Sequence, residues 1–221
     1  MRMMDLTGPI YPGMWTYGDP YPEVEVALLP EPEWVPYPTY SWRLQLTAQT
    51  GTYLENARHM RLEAPPLEDV PVEELVLRPA AILRTPKAAG ERIERRELQS
   101  AAEGLELRPG LAILVATGWG TRWEQPDFVA ASPYFSRDAM RWLLDLDPFL
   151  IGADLPRFDS GTDPQLFFAE FFDRGVLLLA PLVSLERVPV RQGRLIALPI
   201  RVRETAEAPC RALFCWEDED Q

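Results

Sequence analysis

The residues with the clearest potential for chemistry lie close together around a single histidine. His59 is the only histidine in the 221-residue chain, and Glu55 and Tyr53 stand four and six residues before it. An imidazole with a pKa near ~6.5 is the natural general acid and base at neutral pH, although a lone histidine is more often structural. Glu55 could orient that imidazole or act as a second base, and equally could be a carboxylate that supports the fold. The Tyr53 phenol could donate a hydrogen bond to a developing oxyanion.

A second group of residues would hold a ligand rather than react with it. Trp15 and Tyr17 lie in a segment rich in proline and aromatic residues, and this favours an aromatic or apolar ligand. Such a segment is equally typical of an interface. Arg157 could bind a substrate carboxylate, although a surface ion pair is the commoner use of an arginine.

Composition and charge argue against several classes of partner. The net charge of −12 and the isoelectric point near 4.6 disfavour nucleic acid, whose binding needs a concentrated basic face. No stretch approaches the ~20 apolar residues that a membrane span requires. The first residues lack the apolar core of a signal peptide, so a cytoplasmic protein is the default prediction. The two cysteines, Cys210 and Cys215, are predicted to be reduced core thiols.

The sequence predicts one α/β domain over residues 1–221. Residues 1–40 form a proline- and aromatic-rich arm with short strands at most, and residues 217–221 form an acidic tail. Helices are predicted at residues 94–103, from the N-cap Ser136 onward, and at residues 164–173. Buried or half-buried strands are predicted at residues 41–47, 80–84, 111–116, 149–153, 176–179, 195–202 and 212–216. These strands make a sheet that is too extensive for a simple doubly wound fold.

Four motifs follow one another in a distinctive order. They are residues 5–14, the Gly-Asp-Pro at 18–20, the Ala-Thr-Gly-Trp that ends a strand at 116–119, and the Gly-x-Asp that ends a strand at 152–154. In order and spacing they resemble the kynurenine formamidase-like cyclase family, over residues 5 to about 200. The resemblance implies a β-barrel-like (swivelling β/α/β) fold with a few packed helices. It also implies a homodimer or larger homo-oligomer.

The central signature of that family is His-x-Gly-Thr-His-x-Asp-x-Pro-x-His, which supplies metal ligands and a catalytic histidine. The matching stretch here is residues 49–59, in which the Gly-Thr pair is kept. Gln49 and Tyr53 replace the first two histidines, Glu55 replaces the aspartate, and His59 alone survives. The resemblance makes His59 a candidate acid/base and Gln49 a candidate substrate contact.

A second cluster in the family, a histidine followed twelve residues later by a glutamate, falls on Phe168 and Ala180. Neither side chain can bind a metal, and a transition-metal hydrolase needs about three protein ligands. The resemblance therefore implies that the metal site of the family is lost, and no cofactor is predicted. A hard cation held by Glu55 with Asp154 or Asp159 stays open as an alternative.

The leading interpretation is a metal-independent enzyme that acts on a small organic substrate by cyclisation, dehydration or hydrolysis. His59 would be the acid/base, and Glu55 and Tyr53 would orient or polarise. The predicted substrate contacts are Trp15, Tyr17, Gln49, Phe168 and Arg157. Two alternatives stay open: a binding protein without catalysis, and an amide or lactone hydrolase that keeps a metal through altered carboxylate ligands.

Overall fold

A computed structural model describes residues 1–217 of the chain. Of the predicted acidic tail, residues 218–221 therefore lie outside the described residues. The strands are β1 (Arg2–Asp5), β2 (Glu25–Leu28), β3 (Trp42–Gln45), β4 (Tyr53–Glu55), β5 (Arg78–Arg84), β6 (Arg92–Ile93), β7 (Ala112–Ala116), β8 (Tyr134–Phe135), β9 (Leu150–Ala153), β10 (Leu177–Ala180), β11 (Gln192–Pro199) and β12 (Glu207–Trp216). The α-helices are α1 (Val72–Leu75), α2 (Arg95–Ala102), α3 (Arg137–Leu144) and α4 (Phe168–Asp173).

The main sheet closes on itself. Its strand order is β1-β12-β11-β5-β7-β9-β10-β4, and β4 also pairs with β12, so seven strands form a barrel with β1 added beside β12. The four neighbours β5, β7, β9 and β10 run parallel, whereas β4, β11 and β12 pair antiparallel with their neighbours. The predicted α/β class with a β-barrel-like sheet is confirmed.

Side chains alternate between the two faces of the barrel strands. Leu114 of β7 and Leu179 of β10 belong to an apolar cluster to which all seven barrel strands contribute, so this cluster fills the interior. Their neighbours Val115 and Leu178 face outward and join a second cluster that includes Leu143 of α3. Each such side chain stabilises the fold by about 1.5–3 kcal/mol through burial. Both cysteines lie buried on β12 as free thiols, as predicted.

The predicted helices at residues 94–103 and from Ser136 onward are confirmed. Glu94 and Glu97 form a capping box at the start of α2, each carboxylate accepting the backbone amide of the other residue. The hydroxyl of Ser136 accepts the amide of Ala139 at 3.1 Å and caps α3. These caps satisfy amides that have no partner within the helix, and they set where each helix begins.

The predicted helix at residues 164–173 begins four residues late. The Asp159 carboxylate accepts the backbone amides of Gln165 at 2.7 Å and Leu166 at 2.9 Å, which holds this stretch as a loop. Helix α4 therefore starts at Phe168. Its predicted end is confirmed, since Gly175 follows in the left-handed conformation with φ of 71°.

The strand predicted at residues 41–47 exists, but the prediction that it is half-buried is wrong. β3 pairs with β2 alone in a separate two-stranded sheet. All four of its residues are exposed, and Trp42 and Leu44 each keep 60% of their surface accessible. The alternation of apolar and polar residues is therefore present, but the barrel core does not cover the apolar side.

Candidate functional site

Strand β4 and the turn after it carry the three residues predicted to be catalytic. Tyr53 and Glu55 are two residues apart in β4, so both project from the outer face of the barrel. Asn56 then ends the strand, because its side-chain oxygen accepts the amide two residues on at 3.0 Å and starts the 3₁₀ turn Ala57–His59. This turn brings the imidazole back beside Glu55.

These residues line an open cavity of about 410 Å³, an ordinary size for a small-molecule site. All the sequence-predicted site residues except Trp15 lie in its wall: Tyr17, Gln49, Tyr53, Glu55, His59, Arg157 and Phe168. Asp159 and residues without an earlier assignment complete the wall, among them Tyr21, Pro156 and Leu178. The barrel therefore brings together predicted site residues as far apart in the sequence as Tyr17 and Phe168.

Trp15 does not line this cavity. Its indole packs edge-on against Tyr17, with ring centroids 5.8 Å apart, and against Trp123 at 5.1 Å. Phe128 lies at 5.2 Å. Trp15 thus packs in the apolar cluster around Phe128. It contacts Tyr17, and Tyr17 in turn lines the cavity.

The imidazole of His59 lies between two carboxylates. Its Nδ1 is 3.8 Å from Glu55 Oε1 and 3.8 Å from Glu207 Oε2. Gln49 Nε2 donates a 3.0 Å hydrogen bond to the other oxygen of Glu55. Glu207 stands opposite Glu55 in the antiparallel pairing of β12 with β4. Sequence reasoning missed Glu207, because only barrel closure brings β12 beside β4.

The acid–base balance of this cluster is shifted toward neutral pH. Burial raises the pKa of Glu55 to about 7, although His59 and the Gln49 hydrogen bond oppose the shift. The Glu207 carboxylate, assisted by Glu55, raises the pKa of His59 above its ordinary value against partial burial. Glu55 can therefore exchange a proton near pH 7, and a carboxyl group with so shifted a pKa is typical of functional sites.

The raised pKa of Glu55 has a measurable consequence for stability. Between about pH 4.5 and pH 7 the folded state holds a proton on Glu55 that the unfolded state has lost, so this residue makes stability fall as pH rises. We expect Glu55→Gln, which is neutral throughout, to be more stable than the parent above pH 7 by about 1–3 kcal/mol. Urea denaturation at pH 5 and pH 8 checks this, with Glu63→Gln as an exposed control. A Glu55→Gln variant that is less stable at pH 8 would contradict the assignment.

Two tyrosine hydroxyls form a short chain beside the cluster. Tyr17 Oη donates to the carbonyl of Pro156 at 2.8 Å and lies 3.1 Å from Tyr53 Oη. Because Tyr17 has a single proton, Tyr53 is the donor in the bond between the two phenols. Burial raises the pKa of both groups above the ordinary value, so both are neutral phenols. In the free protein, the Tyr53 proton is therefore already committed to Tyr17.

The residues at the family's metal-ligand positions do not fit a transition metal. Phe168 and Ala180 line the cavity but have no ligand atom. The Tyr53 phenol is held in its neutral form, and the Gln49 amide is bound to Glu55. Within residues 1–217, no three histidine, cysteine or acidic side chains are grouped as metal ligands would be.

The carboxylates predicted as alternative cation ligands have other partners. Asp154 is fully buried and accepts the Thr117 amide and hydroxyl and the Gly118 amide, at 2.7–3.1 Å. Asp159 accepts three backbone amides, at 2.7–2.9 Å. A site built from Glu55 with either aspartate is therefore not assembled, because these carboxylates hold the two loops that follow β7 and β9.

None of the helices in the described residues is long and apolar enough to cross a membrane.

The sequence is similar to those of known proteins. The sequence profile described as "Putative cyclase" matches residues 4–160. The chain is 26% identical over 171 residues to a kynurenine formamidase of Bordetella petrii, covering 77% of this chain and 78% of that protein. It is 28% identical over 177 residues to a kynurenine formamidase of Salinibacter ruber, covering 77% of each.

Solved structures share the fold across almost the whole chain. A protein described as a potential metal-dependent hydrolase with cyclase activity superposes with a TM-score of 0.76 at 23% identity, covering 96% of both chains. An isatin hydrolase bound to the product analogue thioisatinate gives a TM-score of 0.80 at 20% identity, covering 96% of this chain and 90% of that one. The family profile spans most of the chain, and the chain therefore belongs to the cyclase family.

Proposed function

We propose that this chain is a hydrolase that cleaves an amide or lactone bond in a small organic substrate, with His59 as acid and base. The observation that carries the proposal is the placement of His59 between Glu55 and Glu207 in the wall of the cavity. The family relatives named kynurenine formamidase and the structural neighbour named isatin hydrolase support hydrolysis over the other reactions that the sequence left open.

The proposed chemistry needs one proton carrier. The neutral imidazole takes a proton from water as its oxygen bonds to the acyl carbon, and the imidazolium then returns the proton to the leaving nitrogen or oxygen as the acyl bond breaks. Both carboxylates face Nδ1, so Nε2 is the nitrogen assigned to this transfer. Their negative charge stabilises the imidazolium that forms.

Tyr53 is the candidate to polarise the substrate carbonyl. Its proton is donated to Tyr17 in the free protein, so a bound substrate oxygen would have to replace Tyr17 as the acceptor. Neutral phenols suit this role because they donate without carrying charge. Tyr17 keeps its own bond to the Pro156 carbonyl throughout.

A binding protein without turnover is the second candidate. Phe168 and Ala180 make part of the wall apolar where the family has metal ligands, and Tyr53 is already satisfied by Tyr17. These features suit a site that only holds a ligand.

A substrate screen separates the two candidates. We expect the purified protein to hydrolyse at least one member of a panel of aryl formamides, aryl lactones and isatin at neutral pH. The matched control is Glu63→Gln, an exposed change outside the cavity. If ligands from the panel bind and none is turned over faster than in buffer, the hydrolase proposal fails and the binding protein is favoured.

We also propose a homo-oligomer, as the family resemblance implied. The arm and strand β3 expose several large aromatic side chains, which favours burial against another surface: Trp34, Tyr37, Tyr40 and Trp42. Light scattering after gel filtration measures the mass, and a 25.2 kDa particle would contradict this proposal.

A further inference from the structure

Arg157 lines the cavity, and its guanidinium has neither an ion pair nor a hydrogen bond within residues 1–217. Its Nε is buried and unsatisfied. A buried donor without an acceptor costs free energy, so such a group is typical of a site that a ligand completes.

Arg58 and Arg122 also have a buried Nε without an acceptor, but unlike Arg157 they use their other guanidinium nitrogens in hydrogen bonds and ion pairs. Arg58 donates to the Ala64 carbonyl and pairs with Glu204, and Arg78 is bound to Glu74 and to the Gly110 carbonyl. With 34 acidic and 22 basic residues, the chain has carboxylates in excess. An arginine that is half-buried and unpaired in such a protein is therefore informative.

The acidic residue nearest in sequence cannot neutralise Arg157. The Asp159 carboxylate also lines the cavity, but it accepts the amides of Ser160, Gln165 and Leu166. These three bonds fix it as the anchor of its loop. Arg157 therefore lines the cavity without a carboxylate partner among the described residues.

Aromatic rings stand beside this cation. The Arg157 guanidinium carbon is 5.9 Å from the centroid of the Tyr17 ring, within range of a cation–π contact. Tyr17 is held to the same loop by its bond to the Pro156 carbonyl, and Phe168 lies in the cavity wall. A planar ring can therefore pack against Tyr17 or Phe168 while an attached anion reaches Arg157.

We propose that Arg157 forms an anion subsite that selects aromatic carboxylates as ligands of this cavity. The planar fork of a guanidinium matches a carboxylate with two parallel hydrogen bonds. A singly charged group is favoured over a dianion, because Glu55 and Glu207 lie near the same cavity. The inference rests on the proposed function only in taking this cavity as the substrate site.

Binding of simple probes tests the subsite without any turnover. Calorimetry would compare benzoate and 3-phenylpropionate with the neutral benzamide, on the parent protein and on Arg157→Gln, Arg157→Lys and the exposed control Arg187→Gln. We expect Arg157→Gln to weaken carboxylate binding by about 10- to 100-fold and benzamide binding by less than threefold. Arg157→Lys should be intermediate, because it keeps the charge and loses the fork.

The outcomes separate this inference from the proposed function. Equal affinity of the parent and Arg157→Gln for the carboxylates, or no carboxylate binding to the parent at millimolar concentration, overturns the subsite. Binding that depends on Arg157 in a protein that turns over no substrate leaves the subsite intact and refutes only the hydrolase. Circular dichroism of each variant shows that it is folded.

Discussion

Replacing His59 with alanine is expected to lower turnover of any substrate found in the screen by about 10²- to 10⁴-fold, with the fold retained. His59 sits in a short surface turn with 38% of its side chain exposed, so its loss leaves little core volume empty. The cluster would lose its proton carrier but keep Glu55 and its Gln49 bond. Initial rates at saturating substrate measure the effect.

Because His59 is the only histidine, chemical rescue and imidazole NMR signals report on this residue alone. Added imidazole should restore part of the activity of His59→Ala and leave the parent unchanged. In the parent, the one histidine ring gives one set of NMR signals. The midpoint of its titration should lie above pH 6.5, because the neighbouring carboxylates raise the pKa of His59. Turnover of His59→Ala equal to that of the parent would remove His59 from the mechanism.

Replacing Asp154 with alanine is expected to have the largest effect on stability. Its carboxylate is fully buried and accepts the Thr117 amide, the Thr117 hydroxyl and the Gly118 amide. Truncation leaves these donors without an acceptor inside the protein, and we expect a loss of about 3–5 kcal/mol. Urea denaturation at pH 7.5 measures it, where the carboxyl group, whose pKa is raised to about 6 by burial, is ionised.

A double-mutant cycle with Thr117→Val isolates one of these bonds. The hydroxyl of Thr117 is 2.7 Å from Asp154 Oδ1, so the two changes should be non-additive by about 1–3 kcal/mol. Additive losses would show that Asp154 stabilises the fold through contacts other than the Thr117 hydroxyl. A loss below about 1 kcal/mol for Asp154→Ala would contradict the structural role itself.

The Asp154 contacts also show what two of the sequence motifs do. The Thr-Gly-Trp at residues 117–119 and the Gly-x-Asp at residues 152–154 end the neighbouring parallel strands β7 and β9. In the structure, Asp154 binds the first two residues of the other motif. The motifs are thus one structural unit, and the sequence could predict their order but not their contact.

Six of the seven barrel strands were predictable because they contain apolar runs bounded by turn residues, whereas the three-residue β4 was not predicted. The burial of a strand was less predictable, because it depends on which other elements pack against it. Trp42 and Leu44 alternate with polar residues like a half-buried strand and yet stay exposed, because β3 has only β2 as a neighbour. Helix α4 begins four residues after its predicted start, because Asp159 accepts two backbone amides of the predicted first turn. Asp159 precedes the predicted helix, so the helical pattern did not include it.

The site itself was predicted in part. The family signature grouped Gln49, Tyr53, Glu55 and His59, and they do line one cavity, but the strand β4 that carries Tyr53 and Glu55 was not predicted. Glu207 was out of reach, since it is 148 residues from His59 and only the pairing of β12 with β4 brings it there. The missing partner of Arg157 was also invisible, because it is a property of the surroundings rather than of the residue type.

We propose that acid–base chemistry by protein side chains has replaced, at this site, the metal that the family resemblance implies. The most direct test is the hydrolysis rate of the best panel substrate before and after exhaustive treatment with a chelator, followed by addition of Zn²⁺ or Mn²⁺. We predict that the rate stays the same within about twofold at every stage and that His59→Ala remains the slow form. Loss of activity on chelation, with recovery at one metal ion per chain, would contradict the account.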